Sequence, residues 1–229
     1  MTSLTVASRE QRPALLRLGT LLAAMLFAFT LVLAGSVSAE AAPKAPKDPK
    51  NIGVLVNKNR PLKPKTYVPR DLTKIGSAKI RKEPARHMRS MMSAAKKAKK
   101  PVTIVSSYRS YKSQKTLFSQ YSRWYGAKYA STVAARPGYS EHQTGLTADL
   151  GTPGGGCALG KCFGNTKASK WVASNSWKYG YIIRYPKGYT KVTGYAYEPW
   201  HVRYVGKKIS SKMHHKKIRT LEQYYGLKR

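Results

Sequence analysis

The order of short helical and strand-like segments is the feature that most limits the fold of this 229-residue chain. Pro61, Pro64 and Pro69 exclude a long helix in residues 51–72, so we expect strand and loop there. Further along, helical and strand-like patterns follow one another without the regular strand–helix–strand spacing of a parallel sheet. This irregular order predicts an α+β fold in a single domain.

Hydrophobic periodicity locates the individual elements. The predicted helices span residues 84–100, 112–125, 166–179 and about 211–225, and the predicted strands span 102–106, 145–151, 181–185 and 200–205. The side chains predicted to face inward are Met88, Met91, Met92 and Ala95 in the first helix and Ile218, Leu221 and Tyr225 in the last.

The first 41 residues have the pattern of a secretory signal. Three arginines, Arg9, Arg12 and Arg17, precede an uncharged apolar run at 18–34, and small residues follow up to Ala41. This order of basic, apolar and small-residue regions is typical of a signal peptide. The alternative is a retained membrane anchor, for which the run is at the short end. We therefore predict a signal at 1–41, a Pro/Lys linker at 42–50 and a folded domain at 51–229 that ends in a basic helix.

Charge is the most unusual property of the composition. Lys and Arg total 43 against 9 Asp and Glu, which gives a formal net charge of +34. Such a surface attracts polyanions and is screened by salt. An exported protein, secreted or associated with the cell wall, meets anionic wall polymers and lipid headgroups before nucleic acid. A secreted nucleic-acid binder remains an alternative because the 16 tyrosines would allow base stacking, but no recognised binding motif is present.

The two cysteines lie close together in a glycine-rich stretch. Cys157 and Cys162 are separated by four residues and flanked by glycines. A single pair at this spacing is a poor zinc site. Export permits disulfide bonds, so we predict a Cys157–Cys162 disulfide that orders the loop.

Removal of the leader leaves seven acidic residues, and three of them share two short segments with histidines. The first segment, 140–151, contains His142 and Asp149, which offer nitrogen and oxygen ligands common for zinc. In the predicted strand Asp149 lies on the face opposite the apolar side chains, and Gly145 allows the chain to turn between the two residues. The alternative is a surface hairpin with a solvated aspartate.

The second segment, 198–206, contains a third potential ligand in His201. Three protein ligands with an open fourth position are typical of a catalytic zinc site holding one ion. Glu198, whose path to His201 is fixed by Pro199, would then act as a base toward water. The alternative is a buried core histidine, with Glu198 paired to a surface lysine.

The third segment is Ser-Ser-Tyr-Arg-Ser at 106–110, with Gln114 following. The planar guanidinium of Arg109 suits a carboxylate or a developing oxyanion. The alternative is that Arg109 is an ordinary basic residue among 43.

Together these segments resemble the VanY-like D-alanyl-D-alanine carboxypeptidases, a group of zinc metallopeptidases. That family carries S-x-Y-R-S with a downstream Gln, S-x-H-x-x-G-x-A-x-D and E-x-W-H-x-R-Y. This chain has S-S-Y-R-S with Gln114, S-E-H-Q-T-G-L-T-A-D and E-P-W-H-V-R-Y. The resemblance covers about residues 51–206, including the L-V-N-K and Y-V-P-R-D-L stretches.

The resemblance implies a small central antiparallel sheet with flanking helices, and zinc-dependent hydrolysis of the D-Ala-D-Ala bond in peptidoglycan stem peptides. The implied roles are zinc ligand for His142, Asp149 and His201, general base for Glu198, transition-state or carboxylate binding for Arg109, and substrate contact for Tyr108, Gln114 and Ser140. An L,D-carboxypeptidase or a stem-peptide endopeptidase could use the same site. A catalytically silent wall-binding module is a further alternative, against which the intact Glu198 and ligands argue.

Overall fold

A computed structural model describes residues 41–227 of the chain. The predicted signal at 1–41 therefore lies, apart from Ala41, outside the described residues. The predicted linker at 42–50 contains no helix or strand, but Ala45 and Pro49 are buried, so the linker lies against the domain instead of being solvated throughout. None of the helices within 41–227 is long and apolar enough to cross a membrane.

The described residues form two antiparallel sheets surrounded by helices. The strands are β1 Leu72–Ile75, β2 Ala78–Arg81, β3 Thr103–Ser106, β4 Thr147–Gly151, β5 Tyr181–Tyr185 and β6 Glu198–Tyr204. The α-helices are α1 Lys82–Lys97, α2 Tyr111–Tyr125, α3 Ala127–Val133, α4 Lys167–Asn175, α5 Thr190–Thr193, α6 Lys207–His215 and α7 Leu221–Tyr224. Short 3₁₀ helices cover Glu141–Thr144, Lys161–Asn165 and Ser176–Tyr179.

Sheet topology confirms the predicted α+β class with a small central antiparallel sheet. Strands β1 and β2 form a hairpin, and the other four form a sheet in the order β3-β4-β6-β5. All neighbouring strands are antiparallel. The main core lies between this sheet, the N-terminal segment and α1. In α1, Met88, Met91 and Ala95 are fully buried as predicted, whereas Met92 is only partly buried.

The predicted single C-terminal helix over 211–225 is wrong. Helix α6 ends at His215, Lys217 adopts a positive φ of 54°, and α7 begins after Thr220. A capping box starts α7, because the Gln223 N–H donates to Thr220 Oγ1 and the Thr220 N–H donates to Gln223 Oε1, each at 3.1 Å. Leu221 and Tyr225 are nevertheless buried as predicted, in a second core cluster that includes Ala45 and Met213.

Strand β4 is buried on both faces. Thr147 and Asp149 are buried, as are the apolar Ala148 and Leu150, so the alternative of a surface hairpin with a solvated aspartate is wrong. Gly145 precedes the strand with φ +67°, and a Cβ there would lie 2.9 Å from Arg81 Cγ. Glycine therefore allows both the left-handed turn and the close approach to the β1–β2 hairpin.

The predicted disulfide is present. Cys157 and Cys162 are bonded, with their Cα atoms 5.5 Å apart, and they close an exposed loop that follows β4. The disulfide therefore constrains the glycine-rich segment between β4 and α4.

We predict that Gly180→Ala destabilises the fold more than its matched control, Gly188→Ala. Both glycines have a left-handed φ, +82° and +88°, which costs a non-glycine residue about 1–2 kcal/mol. A Cβ at Gly180 would also lie 2.6 Å from Cε2 of the buried Tyr204, whereas one at Gly188 would have no described atom within 4 Å. Overpacking should add about 1–3 kcal/mol at Gly180. Equal losses of unfolding free energy in urea titrations would contradict this assignment.

Candidate active site

The central sheet brings the three sequence segments into one row. Asp149 on β4 lies opposite His201 on β6 and, on the other side, opposite Ser106 at the end of β3. Arg109, which follows β3, and His142, which precedes β4, are joined to each other by a hydrogen bond of 3.2 Å from the Arg109 backbone N–H to the His142 carbonyl oxygen. The antiparallel register thus gathers residues that are far apart in sequence.

His142 is held with one ring nitrogen turned toward Asp149. Its Nδ1 lies 2.7 Å from the carbonyl oxygen of Ser107, which can only accept a hydrogen bond. The proton must therefore be on Nδ1, which leaves the lone pair on Nε2. That Nε2 lies 3.2 Å from Asp149 Oδ2.

His201 presents its Nδ1 to two carboxylates. Nδ1 lies 3.3 Å from Asp149 Oδ1 and 3.4 Å from Glu198 Oε2. The His142 and His201 rings meet edge to face with centroids 5.1 Å apart. One donor atom from each of His142, Asp149 and His201 can be chosen so that all lie within 4.8 Å of one another, and all three residues are buried.

These residues fit a zinc ion. Among the described residues, Asp149 Oδ1 is buried without a hydrogen-bond partner, although His201 Nδ1 is close to it. Buried polar atoms are normally satisfied, so an unpaired carboxylate oxygen between two imidazoles suggests a further partner. Two histidine nitrogens and one carboxylate oxygen are a common catalytic zinc set.

In the metal-free protein, the site has strongly perturbed proton affinities. Burial raises the pKa of Asp149, but the charges and hydrogen bonds of His142 and His201 outweigh it and hold that pKa far below its usual range. Burial lowers the pKa of His201, yet its carboxylate neighbours raise it to about 9. Near neutral pH the site therefore pairs an ionised Asp149 carboxylate with a protonated His201 imidazole.

Glu198 stands apart from the other carboxylates in its pKa. Burial, together with the charges of Asp149 and Glu141, raises the pKa of Glu198 to about 7 despite the opposing effect of His201. Its side chain is 16% exposed, whereas that of Asp149 is 6% exposed. A carboxylate with such a pKa, next to the candidate ligands, can accept a proton near neutral pH.

Arg109 is fixed by its own segment. Its Nη1 donates to Gln114 Oε1 at 2.9 Å and its Nη2 donates to Ser106 Oγ at 3.1 Å. Burial lowers the pKa of Arg109 despite the opposing charges of Asp149, Tyr121 and Glu198, so the guanidinium lies within electrostatic reach of the acidic residues of the site. A planar cation held at this position can bind a carboxylate or an oxyanion.

The other three residues predicted to contact substrate, Tyr108, Gln114 and Ser140, differ in burial and in hydrogen bonding. Gln114 is buried, and its amide is fully engaged because Nε2 donates to the Ala135 carbonyl oxygen at 2.7 Å while Oε1 accepts from Arg109. Tyr108 is half-buried and Ser140 is buried. Gln114 thus orients Arg109, and substrate contact by Tyr108, Gln114 and Ser140 stays a prediction.

A buried ionic cluster next to His201 was not predicted from the sequence. Its members are Glu141, Arg184, Arg203 and Glu222. Glu141 could have been found, since it is one of few acids and adjoins His142. Arg203 was already part of the E-P-W-H-V-R-Y motif, whereas Arg184 could not have been found, because the sequence does not distinguish a buried arginine from the many exposed ones.

Fold and site together define a peptidase. The family description "D-alanyl-D-alanine carboxypeptidase", VanY, matches residues 77–207. The chain belongs to this family and is a peptidoglycan carboxypeptidase of the VanY type.

Similar proteins agree with this assignment. The chain is 43% identical over 189 residues to YodJ of Bacillus subtilis (strain 168), which is named as a carboxypeptidase; the match covers 78% of this chain and 68% of YodJ. The solved structure of LdcB, an LD-carboxypeptidase, is similar with a TM-score of 0.73 and 43% identity over 79% of this chain and 88% of LdcB. A mutant of the D,D-pentapeptidase VanY, solved with Zn(II), is similar with a TM-score of 0.65 and 30% identity over 76% of this chain and 98% of VanY.

We predict that Glu198→Gln stabilises the metal-free fold at alkaline pH. The folded pKa of about 7 exceeds the ordinary 4.5, so the fold favours the neutral carboxyl and loses stability as pH rises through this interval. Glutamine carries no charge, and the variant should gain about 1–3 kcal/mol at pH 8, roughly 3–10 °C in Tm. The gain should disappear below about pH 4.5. Thermal unfolding of chelator-treated protein across pH tests this, and a gain independent of pH would contradict it.

Proposed function

We propose that this protein is a zinc-dependent carboxypeptidase that hydrolyses the peptide bond before the C-terminal D-residue of peptidoglycan stem peptides. The observation that carries the proposal is the cluster of His142, Asp149 and His201, with donor atoms within 4.8 Å, and Glu198 next to it. In this arrangement three ligands and a separate base converge at one place, as metal-assisted hydrolysis requires.

The ligands in this proposal are His142 Nε2, an Asp149 carboxylate oxygen and His201 Nδ1. A zinc ion held there supplies Lewis-acid chemistry, which activates water and polarises a carbonyl group. The likeness to a VanY structure solved with Zn(II) supports zinc as the metal, and a single three-residue cluster in the described part of the chain supports one ion.

The catalytic residues of this chain divide the work between proton transfer and charge stabilisation. Glu198 removes a proton from the attacking water and returns it to the leaving amine, for which a pKa near neutrality is suitable. Arg109 donates hydrogen bonds to the substrate carboxylate or to the oxyanion that develops on the carbonyl oxygen. Gln114 keeps the guanidinium oriented.

The scissile bond is the finer part of the proposal. The family description favours the D,D bond of a pentapeptide stem, as the motifs suggested. The likeness to LdcB, an LD-carboxypeptidase, is stronger in both identity and TM-score than that to the D,D-pentapeptidase. We therefore place the L,D bond of a tetrapeptide stem first and the D,D bond second.

The decisive assay combines substrates and variants. Purified wild-type protein should release a terminal D-residue from tetrapeptide stems faster than from pentapeptide stems, as identified by product mass, and a chelator should abolish release. His201→Ala should lose most of the zinc measured by elemental analysis. Glu198→Gln should retain zinc but lose about 10²–10⁴-fold in turnover, because a positioned base typically contributes that much.

Each arm of this assay can contradict one assignment. Full zinc occupancy in His201→Ala would show that His201 is not a ligand. Near wild-type turnover by Glu198→Gln would show that Glu198 is not the base. Faster release from pentapeptides would reverse the order of the two bonds. Cleavage within the stem, instead of at its end, would make the protein an endopeptidase.

The cellular setting in this proposal is the cell wall outside the membrane, with a membrane anchor if the leader is retained. The leader pattern supports export, and after its removal 40 basic residues remain against seven acids. Self-repulsion of such a charge is relieved by an anionic partner. Wall polymers and lipid headgroups outside the cell offer that partner, and nucleic acid does not.

We predict that salt separates wall adhesion from catalysis. Contacts between exposed lysines and a polyanion should weaken together as the Debye length falls to roughly 3 Å near 1 M salt. The buried ligand cluster depends on short-range contacts and should be much less sensitive. High salt should therefore release the protein from isolated cell walls while turnover of a small stem peptide changes less than about twofold. A parallel decline of both, or salt-independent retention, would count against a separate adhesive surface.

A further inference from the structure

Glu141 occupies the centre of a fully buried ionic cluster. Its Oε1 accepts hydrogen bonds from Arg184 Nε at 2.9 Å and from Arg203 Nη1 at 2.6 Å. None of these three side chains is accessible to solvent. Burying a carboxylate or a guanidinium without such partners would be very unfavourable, so the position of each group depends on the other two.

The cluster extends to the C-terminal helix. Arg184 Nη1 and Nη2 donate to the two oxygens of Glu222 on α7, both at 2.8 Å. Glu222 also accepts a hydrogen bond from Asn57 Nδ2 at 3.1 Å. A bidentate pair of this kind fixes direction as well as distance. Glu222 therefore determines where the guanidinium of Arg184 lies, and Arg184 in turn holds Glu141.

Arg203 is anchored at its other end by backbone. Its Nη2 donates to the carbonyl oxygens of Ile52 and Val54, at 3.0 and 2.6 Å, and its Nε donates to the carbonyl oxygen of Tyr204 at 3.0 Å. The two arginines therefore approach the same Glu141 oxygen from fixed positions. The other oxygen, Oε2, is left to face a different neighbour.

That neighbour is His201. Glu141 Oε2 and His201 Nε2 are 3.6 Å apart, and neither atom has a hydrogen-bond partner among residues 41–227. Because Nδ1 of His201 faces Asp149 and Glu198, a neutral His201 that binds a cation through Nδ1 carries its proton on Nε2. The two unpaired atoms then form a donor and an acceptor separated by slightly more than a hydrogen bond.

We propose that Glu141 is a positioning residue for the ligand His201, and that Glu222 on the C-terminal helix holds Glu141 in place through Arg184. This inference rests on the proposed zinc site. A carboxylate that accepts the outer N–H of a ligating histidine fixes the tautomer and ring direction and strengthens the donor nitrogen. Glu222 lies beyond residues 77–207, the part matched to the family, so this support comes from outside the matched part.

The test measures zinc affinity directly. Wild type, Glu141→Gln and Glu222→Gln are titrated with zinc against a chromophoric chelator, and Co(II)-substituted samples are compared by visible absorption. Loss of an outer partner of a metal ligand typically weakens affinity about 10–100-fold. We expect a loss in this range for Glu141→Gln, a loss of about tenfold for Glu222→Gln, and altered Co(II) bands in both.

Glu83→Gln is the matched control. Glu83 accepts a hydrogen bond from the Tyr204 hydroxyl at 2.8 Å, so it also contacts β6, but it is not among the residues paired with His201, Arg184 or Arg203. The zinc affinity and Co(II) spectrum of Glu83→Gln should match those of wild type. Glu222→Asp, which retains the negative charge, should recover part of the affinity lost in Glu222→Gln.

Circular dichroism identifies folded variants before titration. If Glu141→Gln does not fold, Glu222→Gln carries the test, because Glu222 does not touch His201. A folded Glu222→Gln with wild-type affinity and an unchanged Co(II) spectrum would overturn the inference, as would an equal loss in Glu83→Gln. The stem-peptide assay on wild type decides the proposed function separately, since the variants are compared only in metal affinity.

Discussion

The structure depends on a carboxylate that is buried between two arginines. Arg184 and Arg203 come from neighbouring strands of the central sheet, and both are fully buried only because Glu141 and Glu222 neutralise them. Glu141 belongs to the same short 3₁₀ helix as His142. The pairing therefore fixes the helix that carries one candidate ligand against the strands that carry Asp149 and His201.

The few acidic residues that the structure describes all have polar partners, and Glu141, Asp149 and Glu222 are buried, whereas Asp48 and Glu83 are exposed. Each of the seven described acids has a specific contact: Asp48 with the Lys50 N–H, Asp71 with Arg81, Glu83 with Tyr204, Glu141 with Arg184 and Arg203, Asp149 and Glu198 with His201, and Glu222 with Arg184. Little negative charge is left to offset the exposed lysines. The same composition thus supports a polar interior site and a predominantly basic exterior.

The sequence predicted the residues of the candidate site better than the residues that hold them in place. Motif spacing identified His142, Asp149, His201 and Glu198, and the antiparallel register places them together. Strand periodicity also succeeded, because β4 to β6 are apolar enough to be recognised. The sequence could not predict the burial of Arg184, because a guanidinium is normally exposed and becomes buried only when the tertiary structure supplies a charged partner. The break before α7 was readable in principle, because Thr220 and Gln223 have capping-box spacing.

The pairing of Asp149 with His201 also bears on how the molecule folds. These residues lie on adjacent strands, yet β5, two α-helices and two 3₁₀ helices intervene in the sequence. Closing so long a loop is entropically unfavourable and occurs only when the central sheet assembles. An unfolded chain consequently offers no preformed site, and any cation bound there acts by mass action on the native state alone. The supply of metal would therefore influence how long each folded molecule survives as well as how fast it works.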